Sequence, residues 1–455
     1  MADANFASGT VWTGDCLNVL RGMNSGCVDL IYADPPFNSN RDYAAPVGSK
    51  AAGAAFKDTW TLDDVDVHEH GELADRNPAA YAVIQAARQA HGKGMQSYLI
   101  MMAARLLEMR RVLKDDGSIY VHCDPTASHY LKLLMDAIFG AASFRSDISW
   151  KRSSAHSDTK QGRRQHGRIH DVLLFYVHGG YTWNPLYTDY DPDYVRTSYR
   201  HVEPGTGRRY RLDNLTGPGG AAKGNPAYEV MGVTRYWRYS EKRMAALIAE
   251  GRVVQTRDGG VPAYKRYLDE MPGVPLQDLW ADLPPIGSRA KERLGYPTLK
   301  PLALLERIIK ASSNAGDLVL DPFCGCATAL VAADRLGRQW AGIDLSPLAI
   351  RLVNERIAAD RGPLRGSATA LTEPPMRTDL GDVPNYRTHR HRLYGEQEGV
   401  CVGCDIHFLF PVMDVDHILP RSQGGTDHAS NLQLLCSGCN RRKGGRTMAE
   451  WRAAQ

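Results

Sequence analysis

A short apolar run that ends in two prolines most constrains the fold of this chain. Residues 28–33 predict a buried strand, and Asp34-Pro35-Pro36-Phe37 follows directly. Proline has no N–H to donate, so the sheet ladder stops there and Asp34 lies at the strand's carboxyl end, where open α/β sheets bind ligands. Asp34 and the Pro35 carbonyl can accept the two hydrogens of an exocyclic amine while Phe37 stacks on a flat ring. Alone, the same residues equally fit a strand that ends in a proline turn.

Length and composition indicate a multidomain globular protein. The 455 residues exceed one ordinary core, so we expect two or three domains. Hydrophobic residues make up 43% and charged residues 23%, which are globular values. A bilayer-spanning apolar run and a signal-peptide pattern are both missing, which predicts a cytoplasmic protein without membrane partners. The net charge of +4 identifies no partner by itself.

Strand and helix patterns alternate along the first 140 residues. Residues 10–13 predict a strand that leads into Gly14-Asp15, and residues 97–113 predict a helix. Residues 115–117 predict a turn, residues 118–122 a strand, and a further helix ends near Phe139. The glycine-rich turn that a nucleotide-binding fold of this kind needs does not occur in this region.

A glycine-rich turn occurs about three hundred residues later. Residues 318–320 predict a strand, and the loop 321–327 precedes a helix rich in small residues, which let backbone approach a ligand. The next strand, 339–343, ends at Asp344, where dinucleotide-type sites hold a ribose hydroxyl. Any α/β protein could contain such a strand–loop–helix unit. The positions of interest are Asp321, Phe323, Gly325, Ala327 and Asp344.

Together these motifs resemble the amino-group DNA methyltransferases of the permuted β class, in which the Asp-Pro-Pro-aromatic motif precedes the Phe-x-Gly-x-Gly loop. The resemblance covers about residues 10–360 and implies an α/β, Rossmann-like sheet in domain 1–360, with a target-recognition region inserted at about 180–290. It also implies S-adenosylmethionine as methyl donor. By resemblance, Thr298 and Lys300 lie against its methionine end and Asp15 near its adenine. Ala327 stands where the family usually has a second glycine.

The resemblance implies a catalytic mechanism. The target nucleotide of double-stranded DNA leaves the stack, and its exocyclic amine is held by Asp34 and Pro35 while Pro36 and Phe37 complete the motif. Transfer is direct and depends on orientation. Aspartate at the first motif position favours adenine N6 over cytosine N4, because N4 enzymes more often have serine there.

A basic segment follows the predicted methyltransferase core strands. Its arginines and lysines are interspersed with Ser, His, Gln and Gly, which predicts a flexible loop that neutralises DNA phosphates. A solvated charged loop is the alternative. Residues 180–290 also contain scattered aromatic residues, among which we assign no base-reading side chain. The predicted phosphate contacts in this segment are Lys151, Arg152, Arg163, Arg164 and Arg168.

The last quarter of the chain has a different pattern. Residues 361–386 predict a linker, and residues 387–455 a separate small domain. Two C-x-x-C pairs there can supply four thiolates for tetrahedral structural zinc, because paired cysteines in a cytosolic protein more often bind metal than form disulfides. Four free thiols are the alternative. The four cysteines are Cys401, Cys404, Cys436 and Cys439.

This domain resembles a zinc-bracketed HNH nuclease of the ββα-metal type. Neutral His417 can accept a proton from the attacking water. Asp416 and Asn440 offer oxygen ligands for Mg²⁺ or a similar ion. By resemblance, Asn431 holds the loop that orients His417. Lys443 is predicted to contact phosphate, although a solvated helix face explains it almost as well.

The two resemblances predict one polypeptide that both methylates and cleaves DNA, a restriction–modification or defence enzyme. One alternative is a methyltransferase whose C-terminal module only binds DNA. Another is a nuclease directed at modified invading DNA. Double-strand cleavage by one nuclease site would require sequential nicks or a homodimer, which is therefore a possible assembly.

Overall fold

The structure is a computed structural model, and it describes residues 3–37, 43–44, 55–56, 73–74, 76–153, 164, 166–286, 299–361, 368–380 and 386–454. The described chain forms two compact units. The larger unit comprises Phe6–Arg21 and Gly26–Pro374, and the smaller comprises Pro375–Gln455 with two short stretches before residue 26. Within the described residues, every helix is too short or too polar to cross a bilayer.

The larger unit is built on a mixed sheet. Among the described residues nine strands join in the order β16 (Leu279–Trp280), β6 (Phe144–Lys151), β7 (His170–Val177), β5 (Leu113–Cys123), β2 (Val28–Ala33), β17 (Leu318–Asp321), β18 (Gln339–Asp344), β1 (Thr10–Thr13) and β19 (Thr369–Leu371). Strands β2, β17, β18 and β1 are parallel neighbours, and β7 runs antiparallel between β5 and β6. This architecture confirms the predicted α/β, Rossmann-like sheet. The strands of both units are β1 (Thr10–Thr13), β2 (Val28–Ala33), β3 (Tyr43–Ala44), β4 (Ala55–Phe56), β5 (Leu113–Cys123), β6 (Phe144–Lys151), β7 (His170–Val177), β8 (Tyr187–Thr188), β9 (His201–Val202), β10 (Arg209–Asn214), β11 (Ala227–Val230), β12 (Val233–Tyr236), β13 (Val253–Val254), β14 (Ala263–Tyr267), β15 (Val274–Pro275), β16 (Leu279–Trp280), β17 (Leu318–Asp321), β18 (Gln339–Asp344), β19 (Thr369–Leu371), β20 (Met413–His417) and β21 (Leu432–Cys436).

The helices form where apolar residues recur at helical spacing. In α7 (Leu302–Ser312), for example, Leu305, Ile308 and Ile309 are buried. The helices are α1 (Cys16–Gly22), α2 (Pro78–Ala90), α3 (Lys93–Val112), α4 (Ser128–Phe139), α5 (Pro192–Ser198), α6 (Glu241–Ala249), α7 (Leu302–Ser312), α8 (Thr328–Arg335), α9 (Leu348–Arg361), α10 (Arg390–Glu396), α11 (Ser437–Lys443) and α12 (Met448–Ala453).

The predicted turn at residues 115–117 is part of a longer strand. Strand β5 begins at Leu113, and its pairing with β2 shifts register between Val28 and Leu30. The extra residues are therefore accommodated as an irregularity within the strand.

The region inserted between β7 and α7 has its own small sheet and core. Strands β13, β14, β10 and β9 form an antiparallel sheet, separate from the large one. A buried cluster that includes Leu215, Trp237 and Met244 packs beside it. The exposed aromatic residues of this region include Trp183 and Tyr236. The assignment of this region to target recognition stays a prediction.

Part of the predicted linker belongs to the large sheet. Strand β19, residues 369–371, pairs in parallel with β1 at the sheet's edge. The segment that ends the larger unit is thus partly ordered by backbone pairing.

The smaller unit is a hairpin followed by a helix. Strands β20 and β21 pair antiparallel, with His417 opposite Leu432. Helix α11 follows β21 directly and packs on β20. A buried cluster of Leu434, Leu435 and Trp451 holds the unit together. This is the predicted ββα arrangement.

Candidate methyl-transfer and nuclease sites

The sheet topology brings the two distant methyltransferase motifs to one place. Asp34 follows β2, Asp321 ends β17 and Asp344 ends β18, and these three strands are adjacent and parallel. Asp15 follows β1, which pairs with β18 on the far side. Because parallel strands end at the same side of a sheet, the early Asp-Pro-Pro turn and the late glycine-rich loop lie side by side.

Asp34 is held by Lys300, the lysine that the resemblance places near the methionine end of the cofactor. The Lys300 Nζ donates to Asp34 Oδ2 at 2.6 Å, and Lys300 is buried. The same ammonium lies 5.1 Å from the centre of the Phe37 ring. Lys300 therefore fixes the position of the Asp34 carboxylate and borders the aromatic face of Phe37.

A buried histidine network behind Asp34 was missed by sequence reasoning. His122, near the end of β5, is fully buried. Its Nδ1 is 2.9 Å from the Tyr32 hydroxyl and 4.0 Å from Asp34 Oδ1. Its Nε2 is 3.3 Å from Asp171 Oδ2, and Arg152 Nε is 2.8 Å from Asp171 Oδ1. The available sequence signal was the position of His122 and Asp171 at strand ends.

The glycine-rich loop is tightly closed around two carboxylates. The Phe323 N–H donates to Asp321 at 3.1 Å, and the Gly325 N–H donates to Asp344 at 2.8 Å. Gly325 has φ +49° and Ala327 has φ +64°. The left-handed conformation explains why glycine suits the position of Ala327, where alanine carries backbone strain of roughly 1 kcal/mol. The loop nevertheless closes: Ala327 is fully buried at the N-cap position of α8, and its N–H donates to the Cys324 carbonyl.

The carboxylates at this end of the sheet favour a cationic ligand. Burial raises the pKa of Asp321 well above its usual range; the Phe323 N–H opposes this, and the nearby carboxylates of Asp34 and Asp344 add to it. Burial also raises the pKa of Asp344. A bound cation would relieve this repulsion, and S-adenosylmethionine carries both a sulfonium and an ammonium group.

Two further residues, Asp15 and Thr298, are predicted to bind the cofactor, and the structure describes only Asp15. Asp15 accepts from Arg105 at 2.8 Å and from the Leu17 N–H at 2.8 Å, so its carboxylate is partly engaged. Thr298 lies outside the described residues.

The basic segment is described only at its two ends. Lys151 ends β6 and is half-buried, while Arg164 and Arg168 are exposed. Arg152 is 41% exposed and ion-paired with Asp171, so it connects the segment to the network behind Asp34. Arg163 lies outside the described residues.

The four C-terminal cysteines lie close enough together in the smaller unit to hold one metal ion. The Sγ atoms of Cys401, Cys404, Cys436 and Cys439 all lie within 4.8 Å of one another. The Cys436 N–H points at Cys401 Sγ at 3.1 Å, and the Cys439 N–H at Cys436 Sγ at 3.4 Å. Thiolates at this spacing, with N–H groups directed at sulfur, fit tetrahedral zinc.

His417 has one ring nitrogen engaged and the other available. Its Nε2 donates to Asp427 Oδ1 at 2.8 Å, which leaves the Nδ1 lone pair as the basic atom. Arg421 also pairs with Asp427. Burial lowers the pKa of His417, and the charges of Arg421 and Lys443 lower it further against the opposing effect of Asp416. Neutral His417 is thereby favoured, as a general base requires. Asp427 was missed by sequence reasoning.

Asn431 bridges the loop that follows His417. Its side chain accepts from the Leu419 N–H at 2.8 Å and donates to the carbonyls of Leu419, at 3.0 Å, and Thr426, at 2.8 Å. These bonds fix the loop that contains Asp427.

The prediction that Lys443 contacts phosphate is wrong, because its side chain is fully buried. The Lys443 Nζ is 3.0 Å from Asp416 Oδ2 and donates to the His417 carbonyl at 2.8 Å. Asp416 also accepts from Gln433 at 2.8 Å. Asn440, the other predicted metal ligand, is half-buried on α11. Charge alone did not reveal that Lys443 faces the core.

Fold and sites together define a Rossmann-like methyltransferase joined to a ββα-metal unit. A family model described as DNA methylase matches residues 28–355, and one described as HNH endonuclease matches residues 401–446. The chain belongs to the N6/N4 DNA methylase family and carries a C-terminal HNH endonuclease domain. Family membership implies S-adenosylmethionine as the methyl donor.

Several curated proteins are similar to this chain. The Type II methyltransferase M.EcaI of Enterobacter cloacae is 33% identical over 396 residues, which are 85% of this chain and 78% of that protein. The Mod subunit of the Type III restriction-modification enzyme StyLTI of Salmonella typhimurium is 29% identical over 72% of this chain and 50% of its own length. The DNA adenine methyltransferase YhdJ of Escherichia coli is 23% identical over 76% of this chain and 82% of its own length.

Proposed function

We propose that this protein is a bifunctional restriction–modification or defence enzyme, which methylates adenine N6 in double-stranded DNA and cleaves DNA with its HNH domain. The observation that carries the proposal is the pair of separate sites: an acceptor carboxylate beside a glycine-rich loop, and a histidine base beside metal-type ligands. Relatives named as Type II and Type III modification enzymes, and one named as an adenine methyltransferase, support it. Such an enzyme would act in the cytoplasm.

In the methyl-transfer site, residues of this chain bind and orient a flipped base. Asp34 and the Pro35 carbonyl accept the amine hydrogens, Pro36 keeps the turn rigid, and Phe37 stacks on the base. Asp321, Asp344 and the loop 321–327 would hold S-adenosylmethionine, which supplies a methyl group on a sulfonium. The boundary between this cofactor and the base would be lined by Lys300, Phe323, Gly325 and Ala327. The exposed Arg164 and Arg168 would contact DNA phosphates. The other basic residues predicted for this segment, Lys151, Arg152 and Arg163, would do the same.

In the nuclease site, His417 Nδ1 would accept the proton of the attacking water. Asp427 fixes the tautomer and Asn431 fixes the loop. Asp416 and Asn440 would hold Mg²⁺ or a similar divalent ion, which offsets charge on the leaving oxygen. Zinc on the four cysteines would hold the hairpin and α11 together. A homodimer would allow both strands to be cut.

One observation favours a second candidate function for the smaller unit. The Lys443 ammonium already neutralises Asp416, as expected for a module that binds DNA without a catalytic metal. Purified protein incubated with supercoiled plasmid and Mg²⁺ separates the two. Metal-dependent nicking supports the nuclease, and intact plasmid with retained DNA binding supports the binding module.

The tautomer of His417 gives a testable expectation. Asp427→Asn should lower the cleavage rate by about tenfold or more, because the amide can donate to Nε2 and favour the wrong tautomer. The rate of plasmid nicking in Mg²⁺ measures this. Asp405→Asn in the same unit is the matched control and should cleave normally; equal rates for both variants would contradict the role of Asp427.

The zinc cluster should stabilise the smaller unit selectively. Cys439→Ser should lose the bound zinc and lower the unfolding temperature of this unit, because zinc binding contributes directly to folding. Elemental analysis and calorimetry of the full chain measure both effects. Cys27→Ser, a buried cysteine of the larger unit, should retain one zinc per chain. Retention of zinc by Cys439→Ser would contradict the four-thiolate site.

A further inference from the structure

Methyl transfer to an amine leaves a proton that the active site must accept. The nitrogen–carbon bond forms as the sulfonium carbon–sulfur bond breaks, so the amine nitrogen becomes cationic and must lose one hydrogen. Asp34 is the nearest acceptor in the proposed function, on which this inference rests. Its Oδ2 is engaged by the Lys300 ammonium at 2.6 Å, whereas its Oδ1 faces His122 Nδ1 at 4.0 Å. A proton on Oδ1 therefore has a nitrogen acceptor close behind it.

His122 is oriented to receive that proton. Its Nε2 lies 3.3 Å from the Asp171 carboxylate, which can only accept, so Nε2 carries the hydrogen. Nδ1 then presents a lone pair, to which the Tyr32 hydroxyl donates at 2.9 Å. The Trp150 ring packs edge-on at 5.8 Å and the Phe37 ring lies at 5.6 Å. These contacts hold the imidazole in place, with Nδ1 bonded to the Tyr32 hydroxyl and 4.0 Å from Asp34 Oδ1.

Asp171 provides the charge that a protonated imidazole needs in a buried site. Burial tends to raise the pKa of Asp171, but the hydrogen bond from His122 and the charges of Lys300 and Arg152 outweigh burial and lower it. The titratable groups beside His122 are Tyr32, Asp34 and Asp171. Behind them, Arg152 pairs with Asp171 and Lys300 pairs with Asp34. The ion pair of Arg152 with Asp171 keeps the carboxylate in place.

We propose that His122, supported by Asp171, relays the proton released by methyl transfer away from Asp34. The amine proton passes to Asp34 Oδ1 and then to His122 Nδ1, while the Tyr32 hydroxyl turns its lone pair toward the new N–H. A small shift of the Asp34 side chain closes the gap of 4.0 Å. After the product leaves, the proton returns through Asp34 to solvent. His122 acts through Asp34 and is a positioning residue of the reaction.

The experiment uses the full chain in a His417→Ala background, which silences the proposed nuclease. His122→Gln keeps a donor toward Asp171 but removes the Nδ1 acceptor, and Asp171→Asn keeps shape but removes charge. His178 and Asp115 form a second His–Asp pair, 3.5 Å apart, at the opposite ends of the same two strands. His178→Gln and Asp115→Asn are therefore matched controls. Binding of S-adenosylmethionine by calorimetry and the unfolding temperature are measured for all variants.

The relay predicts that His122→Gln and Asp171→Asn each slow single-turnover methylation of unmodified plasmid by about 10²-fold. Cofactor affinity and unfolding temperature should stay at the level of the controls. Isotope-labelled histidine should show, by nitrogen NMR of the cofactor-free protein, an unprotonated Nδ1 on the His122 ring.

Two outcomes would overturn the relay. One is a single-turnover rate within about threefold of the controls in both variants, and the other is a protonated Nδ1 with an unprotonated Nε2 on His122. If His122→Gln fails to fold, Asp171→Asn decides alone. A parent protein that transfers no methyl group to any DNA would overturn the proposed function itself, and the relay with it.

Discussion

Asp34→Asn should reduce methylation by about 10²-fold or more while leaving DNA cleavage unchanged, because a misplaced amine no longer points its lone pair at the methyl donor. The amide keeps only one acceptor, so either the Lys300 ammonium or the substrate amine meets an N–H₂ group. That contact becomes donor against donor. Transfer of labelled methyl groups to plasmid DNA measures the first effect, and nicking in Mg²⁺ the second.

The same strand supplies the control for this substitution. Asp29, near the start of β2, pairs with Lys114 at 2.7 Å, as Asp34 does with Lys300 at the strand's other end. Asp29→Asn therefore removes an equivalent charge from an equivalent pair. It should methylate at the parent rate. Equal loss in both variants would show that the effect is structural.

His417→Ala should abolish cleavage, with a loss of about 10²–10⁴-fold, and leave methylation intact. Removal of the imidazole leaves water without a base, and the neighbouring Asp427 is held by Arg421. His428→Ala, in the same loop, is the control and should still cut. Residual nicking by purified His417→Ala at the parent rate in Mg²⁺ would contradict the nuclease assignment.

These two substitutions together test whether the sites are independent. The catalytic groups of each site lie within one compact unit, so each activity should survive loss of the other.

The parts of the sites that sequence predicted are those whose chemistry lies in a local motif. Asp34 before two prolines, Gly325 in a glycine-rich turn, and paired cysteines each carry their own spacing. The shared location of Asp34 and Asp321 followed from the resemblance, and the parallel pairing of β2 with β17 provides it. The prediction of a four-cysteine cluster rested on the C-x-x-C spacing, and the four Sγ atoms lie within 4.8 Å of one another.

The residues that sequence did not predict depend on pairing between distant strands. His122 meets Asp171 because β5 and β7 run antiparallel in one register, and periodicity does not fix register between strands. Asp427 reaches His417 through a loop that Asn431 folds back. Lys443 was predicted to contact phosphate because of its charge. Its side chain is instead buried beside Asp416, and this position depends on how α11 packs.

The most direct test of the whole account is nucleoside mass spectrometry of unmodified plasmid after incubation with the purified full chain and S-adenosylmethionine carrying a labelled methyl group. If the early Asp-Pro-Pro turn and the late glycine-rich loop form one pocket for a base and the methyl donor, the label will appear in N6-methyladenine and will be lost with Asp34→Asn. Label that is absent from every nucleoside, although the folded protein binds the plasmid, would contradict that pocket.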